Sequence, residues 1–302
     1  DPKTGLALKP GKLGAAIATA RESEASDLIF HDGFYYLFVN HNSCCKRQQS
    51  EYNIRVGRSK AVTGPYLDKH GEEMVKGGGS LFLAAHDHRI GPGHFGRVLD
   101  YDASADGSEG GQERFSLHYE ADATRGNRSV LDVRPLLWSV DGWPMAGDNL
   151  ADGTYQIVSR QSENTLEVRT PTAPPPPRPA GTPPGPVMDV PGTPIGPPAM
   201  HLGRYLTLDN QKWTIAPAGG GFYKIVNLGS GAAMAAGNGG AVELAPYTGT
   251  DAQIWQLDQF PDGGYRIRNK SSGLCLTAAS SGGVTASAFV RDDLHLWTIT
   301  TP

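Results

Sequence analysis

The alternation of apolar and polar positions along the chain predicts short strands and no long helix. No stretch carries apolar residues at the i, i+3, i+4, i+7 spacing of an amphipathic helix. Short runs rich in β-branched, aromatic and other apolar residues recur instead, at Asp27–Phe30, Tyr35–Asn40, Tyr52–Arg58, Phe115–Tyr119 and Val130–Ser139. Turn residues such as His31-Asp32-Gly33 separate these runs. We therefore expect an all-β protein built as a sandwich, barrel, trefoil or propeller.

The second half of the chain contains a repeat of 42 residues. The interval separates three tryptophans, Trp213, Trp255 and Trp297. The run Tyr223–Asn227 matches Tyr265–Asn269 at the same 42-residue spacing, and a third copy begins at Tyr155. Units of this size cannot bury their apolar faces singly, but three of them packed around a threefold axis share one core. The repeat predicts a β-trefoil with the tryptophans in that core.

One segment holds most of the proline. Of the 23 prolines, 13 lie between Pro171 and Pro198, which at first suggests a linker between domains. The repeat changes this interpretation, because the distance from Tyr155 to Trp213 is 58 residues and the other two copies span 32, an excess of 26. We expect a domain boundary near Asp148–Asp152, giving domains at 1–149 and 150–302. The proline-rich segment then becomes an exposed, polyproline-like insertion at about 169–198.

Composition excludes several classes of protein. The formal net charge of −4 provides no basic field for nucleic acid. No apolar run approaches the roughly 18 residues of a membrane helix. The hydrophobic content of 38% is enough to bury a core, and three cysteines do not form a disulfide framework. Since the chain starts at Asp1 without a signal-peptide pattern, we expect that it begins inside a longer protein or was processed.

The repeats carry a recognisable signature. Gln211-Lys212-Trp213 and Gln253-Ile254-Trp255 resemble the Gln-x-Trp motif of ricin-type β-trefoil lectins, also called family 13 carbohydrate-binding modules. The third copy is degraded to His295-Leu296-Trp297. The resemblance implies a sugar-binding module with up to three sites. Each site would use a carboxylate, an Asn-Gln pair and a nearby aromatic ring.

Only the first copy keeps a nearly full set of these groups. The carboxylate column reads Glu167, Ala235 and Thr277 in the three copies. The resemblance therefore assigns sugar binding in the first copy to Glu167, Asn210 and Gln211, with Tyr205 or His201 as the ring. Asp189 is an alternative carboxylate if the insertion is placed earlier. The alternative interpretation is that these polar groups only cap turns.

The first half carries a second set of motifs. They are Glu24-Ala25-Ser26-Asp27 before an apolar strand, Tyr52–Ser59, Gly77-Gly78-Gly79, Ile90-Gly91-Pro92-Gly93-His94 and Asp141-Gly142-Trp143-Pro144. In this order they resemble the arabinanases of glycoside hydrolase family 43, five-bladed β-propellers that cleave α-1,5-arabinan. The resemblance implies that residues 1–149 form a partial five-bladed propeller, about two blades and the tail of a third. It also implies a secreted hydrolase whose partner is plant cell-wall arabinan.

The family resemblance assigns roles to two residues. An inverting reaction with three carboxylates is implied, and the general acid falls on Glu24. The base and the second Asp are expected upstream of Asp1, so we expect the chain as written to be inactive alone. His94, in a glycine-rich loop, is implied to hold Ca²⁺ or another ion at the propeller axis, mostly through water. Two other functions stay open: a non-catalytic carbohydrate-binding protein, and a family 43 enzyme that acts on xylan or galactan.

Cys44 and Cys45 are adjacent and allow two interpretations. They form either a vicinal disulfide or two thiols beside the cleft. Neighbouring Cα atoms lie about 3.8 Å apart, closer than the usual disulfide range of about 4.4–6.8 Å, which favours the thiols. Cys275 shares a column with Thr165 and Ala233, which predicts a small buried residue.

Overall fold

The computed structural model describes residues 3–4, 23–98, 112–173 and 193–302. Asp1 and Asp189 lie outside these residues. The chain divides into two compact units, Asp1–Asp148 and Asn149–Pro302. The described residues form strands and short 3-10 helices with no α-helix, so the predicted all-β class is confirmed. None of the described helical segments is long and apolar enough to cross a membrane.

The first unit consists of two four-stranded antiparallel sheets. Its strands are β1 (Ser23–His31), β2 (Phe34–His41), β3 (Asn53–Ser59), β4 (Ser80–Leu83), β5 (Arg89–Val98), β6 (Arg114–Asp122), β7 (Arg128–Trp138) and β8 (Pro144–Ala146). Three 3-10 helices lie between them, at Arg47–Gln49, Met74–Lys76 and Ala123–Arg125. The order is β1-β2-β3-β4 in one sheet and β5-β6-β7-β8 in the other. Two such meanders correspond to two propeller blades, and the predicted partial propeller is confirmed.

Aromatic side chains join the two blades into one core. Phe38 of β2 stacks on Phe95 of β5 with ring centroids 3.8 Å apart, and Phe82 meets both rings edge-on. The first strands of the blades, β1 and β5, lie against each other, and the Asp27 carboxylate accepts a hydrogen bond from the Arg97 backbone N–H at 3.3 Å. The amino-terminal part of β1 is therefore held beside the glycine-rich part of β5.

The second unit is a closed barrel with three hairpins. Its strands are β9 (Gly153–Ser159), β10 (Thr165–Arg169), β11 (Ala199–Gly203), β12 (Trp213–Gly219), β13 (Phe222–Asn227), β14 (Ala233–Ala236), β15 (Val242–Ala245), β16 (Trp255–Gln259), β17 (Tyr265–Asn269), β18 (Cys275–Ala278), β19 (Val284–Ser287) and β20 (Trp297–Thr300). Its 3-10 helices are Asp209–Gln211, Asn238–Gly240 and Asp251–Gln253. The barrel closes in the order β9-β12-β13-β16-β17-β20, since β20 pairs with β9. The hairpins β10–β11, β14–β15 and β18–β19 complete the predicted trefoil.

The three tryptophans occupy equivalent core positions. All of them have 0% exposed surface. Their pairing partners across the barrel, Tyr155, Tyr223 and Tyr265, are the tyrosines of the repeat. Each indole N–H donates to a backbone carbonyl, at 2.8 Å (Leu166), 3.0 Å (Met234) and 2.9 Å (Leu276). The prediction that the tryptophans belong to the core is confirmed.

The proline-rich segment connects β10 to β11, which pair directly with each other. At its two ends the backbone continues antiparallel. Ala173 N–H donates to the Thr193 carbonyl at 2.8 Å, and Ile195 N–H donates to the Pro171 carbonyl at 2.9 Å. The segment therefore leaves and re-enters the first trefoil copy at one place, and residues 174–192 lie outside the described residues.

Candidate functional site

Glu24 lies on a β-bulge. It pairs with Asn40, while Asp27 pairs with Phe38, so three steps along β1 match two along β2. Ala25, inside the bulge, has φ of +49°. A bulge re-aims side chains, and the simple alternation of faces along a strand does not hold across it. The Glu24 side chain is exposed, at the amino-terminal end of the first strand of its blade.

Tyr52 fixes the Glu24 carboxylate. The phenol O–H donates to Glu24 Oε1 at 2.7 Å. Tyr52 is 2% exposed, and burial, reinforced by the hydrogen bond to Glu24, raises the pKa of its phenol above the ordinary value. The phenol therefore stays protonated and donates throughout the range in which carboxylates titrate. This bond occupies Oε1 and leaves Oε2 to carry a proton toward a ligand.

Asn40 connects three strands around this carboxylate. Its Nδ2 donates to the carbonyls of Asn53 (3.3 Å) and Pro92 (3.2 Å), and its Oδ1 accepts from the His94 backbone N–H at 2.9 Å. The side chain is fully buried. A buried amide with both ends satisfied fixes its surroundings, because moving any partner leaves a polar group unpaired.

His94 lies in a bulged strand and not in the loop that the sequence predicts. It belongs to β5, where the pairing with β6 shifts between Gly93 and Gly96. Its φ is +56°, and Gly91 has φ of +66°. The glycines let the backbone approach the Tyr52 ring closely, since a Cβ built at Gly93 would lie 2.7 Å from Tyr52 Cδ1. Residues before and after the glycines pair with β6, and this pairing keeps the segment in a strand although its composition favours a loop.

His94 contacts a second histidine. His94 Nδ1 lies 3.1 Å from His118 Nδ1. Burial, followed by the neighbouring His94, lowers the pKa of His118. Two imidazole nitrogens do not fit direct coordination of Ca²⁺, which takes about six to eight oxygen ligands. Among the described residues, three metal-ligating side chains do come together, but they are Cys44, Cys45 and Glu120, and His94 is not one of them. Ion binding by His94 therefore stays a prediction that depends on water.

Two further histidines of the first unit share this behaviour. Burial is the main cause that lowers the pKa of His31 and of His41. Neighbouring arginines lower both pKa values further, and at His31 the charge of Glu113 opposes the shift without reversing it. With His118 they form a set that we call the low-pKa histidines.

Two cysteines and a glutamate lie beside Glu24. Cys44 Sγ and Cys45 Sγ are 2.6 Å apart, and the structure has both cysteines free. The hydrogen bond to Cys45 raises the pKa of the Cys44 thiol to about 11, and the charges of Glu24 and Glu120 contribute. Glu120, 9% exposed, accepts backbone hydrogen bonds from Cys45 (2.7 Å) and Lys46 (3.3 Å).

The first trefoil copy brings its predicted carboxylate and amide together. Gln211 Nε2 donates to Glu167 Oε2 at 2.9 Å. Glu167 is half-buried on β10, and Gly203 makes room for it, because a Cβ there would lie 2.6 Å from Glu167 Oε1. One carboxylate oxygen is thus oriented by the amide, and the other remains an acceptor for sugar hydroxyls.

The same amide also closes a loop. Gln211 Nε2 donates to the Arg204 carbonyl at 2.7 Å, and its Oε1 accepts from the Leu206 backbone at 2.6 Å. Tyr205, half-buried, lies inside this loop. Asn210 Nδ2 donates to the Val168 carbonyl at 2.9 Å and so ties the loop to β10. Asn210 and Gln211 therefore stabilise the loop, and Gln211 in addition orients Glu167.

The second copy keeps the loop contact without a carboxylate partner, and the third copy makes different contacts. Gln253 closes its loop through the Pro246 carbonyl and the Thr248 N–H, both at 2.7 Å. His295 replaces the glutamine in the third copy and bonds Asp292 and Ser287. Only in the first copy does the described structure join the signature amide to a carboxylate in the predicted column.

Sequence reasoning missed the residues that orient Glu24. The sequence places Asn40 in a strand and Tyr52 in a strand and a family motif, but gives neither a role at the site, and it does not single out His118 or Glu120. Their partners lie on other strands at irregular separations, so neither spacing nor periodicity marks them.

Comparison with known proteins places each unit beside a family. A model described as "Ricin-type beta-trefoil lectin domain-like" matches residues 209–291. The chain is 35% identical over 136 residues to "Extracellular exo-alpha-(1->5)-L-arabinofuranosidase ArbA" of Cellvibrio japonicus, covering 45% of this chain and 36% of the relative. It is 34% identical over 139 residues to "Extracellular endo-alpha-(1->5)-L-arabinanase 1" of Bacillus subtilis, covering 46% and 36%.

A solved structure of the same kind is the Cellvibrio cellulosa alpha-L-arabinanase, 35% identical with a TM-score of 0.37, covering 41% of this chain and 36% of that one. The chain thus spans about a third of the length of these relatives. Relatives named as arabinan-degrading enzymes thus match about 45% of the chain, and the ricin-type trefoil model matches part of the second unit.

Proposed function

We propose that the chain is the carboxyl-terminal part of a secreted arabinan-degrading glycoside hydrolase, with a trefoil that binds polysaccharide. The observation that carries the proposal is the Glu24 carboxylate held through one oxygen by a buried phenol, in a unit similar to arabinanases. A general acid must present a proton at a fixed place, and the Tyr52 bond supplies that orientation. The extracellular names of the relatives support secretion.

Glu24 has a defined part in this reaction. Protonated on Oε2, it donates to the glycosidic oxygen as the bond from that oxygen to the anomeric carbon breaks. In an inverting enzyme a base activates water on the opposite face of the sugar, roughly 6.5–9.5 Å from the acid. The sequence assigns no base, so hydrolysis by this chain alone is not expected, and substrate binding is the property to measure.

The trefoil contributes affinity through its first copy. The Glu167 carboxylate, oriented by Gln211, accepts hydrogen bonds from sugar hydroxyls, and Tyr205 offers a ring for the C–H face of the sugar. Affinity electrophoresis of the full chain in gels containing arabinan, xylan or galactan tests this role. We expect arabinan to retard the chain most.

Matched variants separate the outcomes of that experiment. Glu167→Gln should remove most of the retardation, whereas Glu243→Gln, on the corresponding hairpin of the second copy, should leave it unchanged. Retardation on xylan or galactan alone would contradict the arabinan substrate. No retardation on any polysaccharide would contradict the binding role of the trefoil.

The proposal includes an ion at His94 only as one held through water, since the donor set does not fit direct Ca²⁺ coordination. Calorimetric titration of the chain with Ca²⁺ tests it. His94→Ala should abolish the binding heat, and an unchanged heat would place the ion elsewhere.

A further inference from the structure

The turn at Cys44 and Cys45 places two sulfur atoms on the same side of the chain. Adjacent side chains of an extended strand point in opposite directions. Here Cys45 has φ of +64°, in the left-handed region, and the two Sγ atoms lie 2.6 Å apart. Cys44 is half-buried and Cys45 is exposed, so the pair is accessible from solvent.

Tertiary structure adds an oxygen donor to this pair. Glu120, on β6, is 75 residues away in sequence from Cys45, yet its two carboxylate oxygens accept the backbone N–H groups of Cys45 and Lys46. Among the described residues, Cys44, Cys45 and Glu120 offer ligand atoms that all lie within 4.8 Å of one another. These hydrogen bonds fix the carboxylate relative to the turn that carries the thiols.

We propose that Cys44, Cys45 and Glu120 form a binding site for one thiophilic divalent cation of the Zn²⁺ or Cd²⁺ type. Soft thiolate ligands select such cations, and four-coordinate sites accept two sulfurs, a carboxylate oxygen and one solvent molecule. With metal–sulfur bonds of about 2.3 Å, tetrahedral geometry needs sulfurs roughly 3.7 Å apart. The sulfurs must separate by about 1 Å from 2.6 Å, within the reach of cysteine side-chain rotation.

The binding step is balanced by proton release. Two S–H bonds break, two metal–thiolate bonds form, and two protons leave to solvent. The negative charges of Glu24 and Glu120, which act on Cys44, favour a cation at this place. The cation site uses no atom of Glu24, the proposed general acid, but a bound cation would lie beside that carboxylate.

Titration of the reduced full chain with Cd²⁺ tests the site through the ultraviolet charge-transfer band of cadmium thiolates. We expect saturation at one equivalent. Cys44→Ser and Cys45→Ser should each weaken binding at least 100-fold, and Glu120→Gln should weaken it roughly tenfold. Cys275→Ser, which alters a buried thiol of the second unit, is the matched control and should bind as the unaltered chain does.

Several results would overturn the proposal. They are the absence of a charge-transfer band in the reduced chain, an unchanged band in the Cys44→Ser/Cys45→Ser double variant, or loss of the band in Cys275→Ser. Equal affinity of Glu120→Gln and the unaltered chain would remove the carboxylate from the site. Because Glu120 also supports the turn, Glu120→Asp provides a second variant, and circular dichroism verifies that each variant folds. Competition with a chromophoric chelator extends the measurement to Zn²⁺.

Discussion

Substitution of Gly93 by Ala tests whether the Glu24 site depends on close packing between β5 and Tyr52. The new Cβ would lie 2.7 Å from Tyr52 Cδ1, nearer still to Cε1, and 3.1 Å from Asn40 Nδ2. An ordinary carbon–carbon contact needs about 3.5 Å, so the ring must move by roughly 1 Å. Tyr52 is 2% exposed, so the ring is surrounded by protein and its movement must displace neighbouring groups.

The expected loss of stability follows from two contributions. Overpacking in a buried site costs about 1–3 kcal/mol. Displacement of the phenol also weakens its bond to the Glu24 carboxylate, worth about 1.5–3 kcal/mol for a charged acceptor if it were lost outright. Since relaxation relieves part of both, we expect a net loss of roughly 2–4 kcal/mol in the first unit. The alanine adds no backbone strain, because Gly93 is not among the residues of positive φ.

Native-state hydrogen exchange measured by mass spectrometry is the suitable assay, since it resolves the first unit from the second. Peptides of β3 and β5 should exchange faster in Gly93→Ala and peptides of the trefoil should not. Gly96→Ala is the matched control: among the described residues its Cβ meets only Ser116 Oγ, at 3.0 Å, and the expected loss is below about 1 kcal/mol.

A double-mutant cycle completes the test. If the cost is transmitted through the Tyr52 ring, Gly93→Ala should be nearly harmless in a Tyr52→Ala background. Equal losses for Gly93→Ala and Gly96→Ala, or an undiminished loss in the Tyr52→Ala background, would refute the reasoning.

Three further predictions concern the two units separately. Trp255→Phe leaves the Met234 carbonyl without its indole donor and should cost about 2–3 kcal/mol by urea unfolding, and a loss below about 1 kcal/mol would contradict the core role. Arg266→Met leaves the buried Asp258 carboxylate without its ion pair and should cost about 3–5 kcal/mol, whereas Arg160→Met, in a partly exposed pair, should cost at most about 1 kcal/mol. Acidification from about pH 7.5 to 5 should destabilise the first unit, because the folded-state pKa values of the low-pKa histidines lie below the unfolded value of about 6.5. The unfolded state then takes up protons first. In the second unit, aspartates of lowered pKa lose stabilising charge only below about pH 4. Greater destabilisation of the trefoil than of the first unit at pH 5, measured by hydrogen exchange, would contradict this division.

The sequence sufficed for the elements and for the trefoil, because strand alternation and a 42-residue repeat are properties of the linear chain. Positions that are equivalent in the repeat are also equivalent in the barrel, since Tyr223 pairs with Trp255 and Tyr265 pairs with Trp297. Alternation and repetition along the chain can be recognised without knowing which strands pair.

The surroundings of Glu24 could not be predicted in the same way. Tyr52 lies 28 residues from Glu24, and Asn40 lies 54 residues from His94, with no periodicity that relates them. The bulge at Ala25 and the pairing of His94 within β5 also depend on neighbouring strands. Tertiary pairing decided both features, and at His94 it produced a bulged strand where the sequence predicts a loop.

Chemical rescue with azide tests the proposed role of Glu24 most directly. Azide needs no base, so it can attack the anomeric carbon of an arabinan oligosaccharide while Glu24 donates its proton to the departing oxygen. The account predicts slow formation of a β-arabinofuranosyl azide, at least 100-fold slower in Glu24→Gln and unchanged in the control Glu51→Gln. Absence of the azide product despite measurable arabinan binding, or equal rates with Glu24→Gln and the unaltered chain, would contradict it.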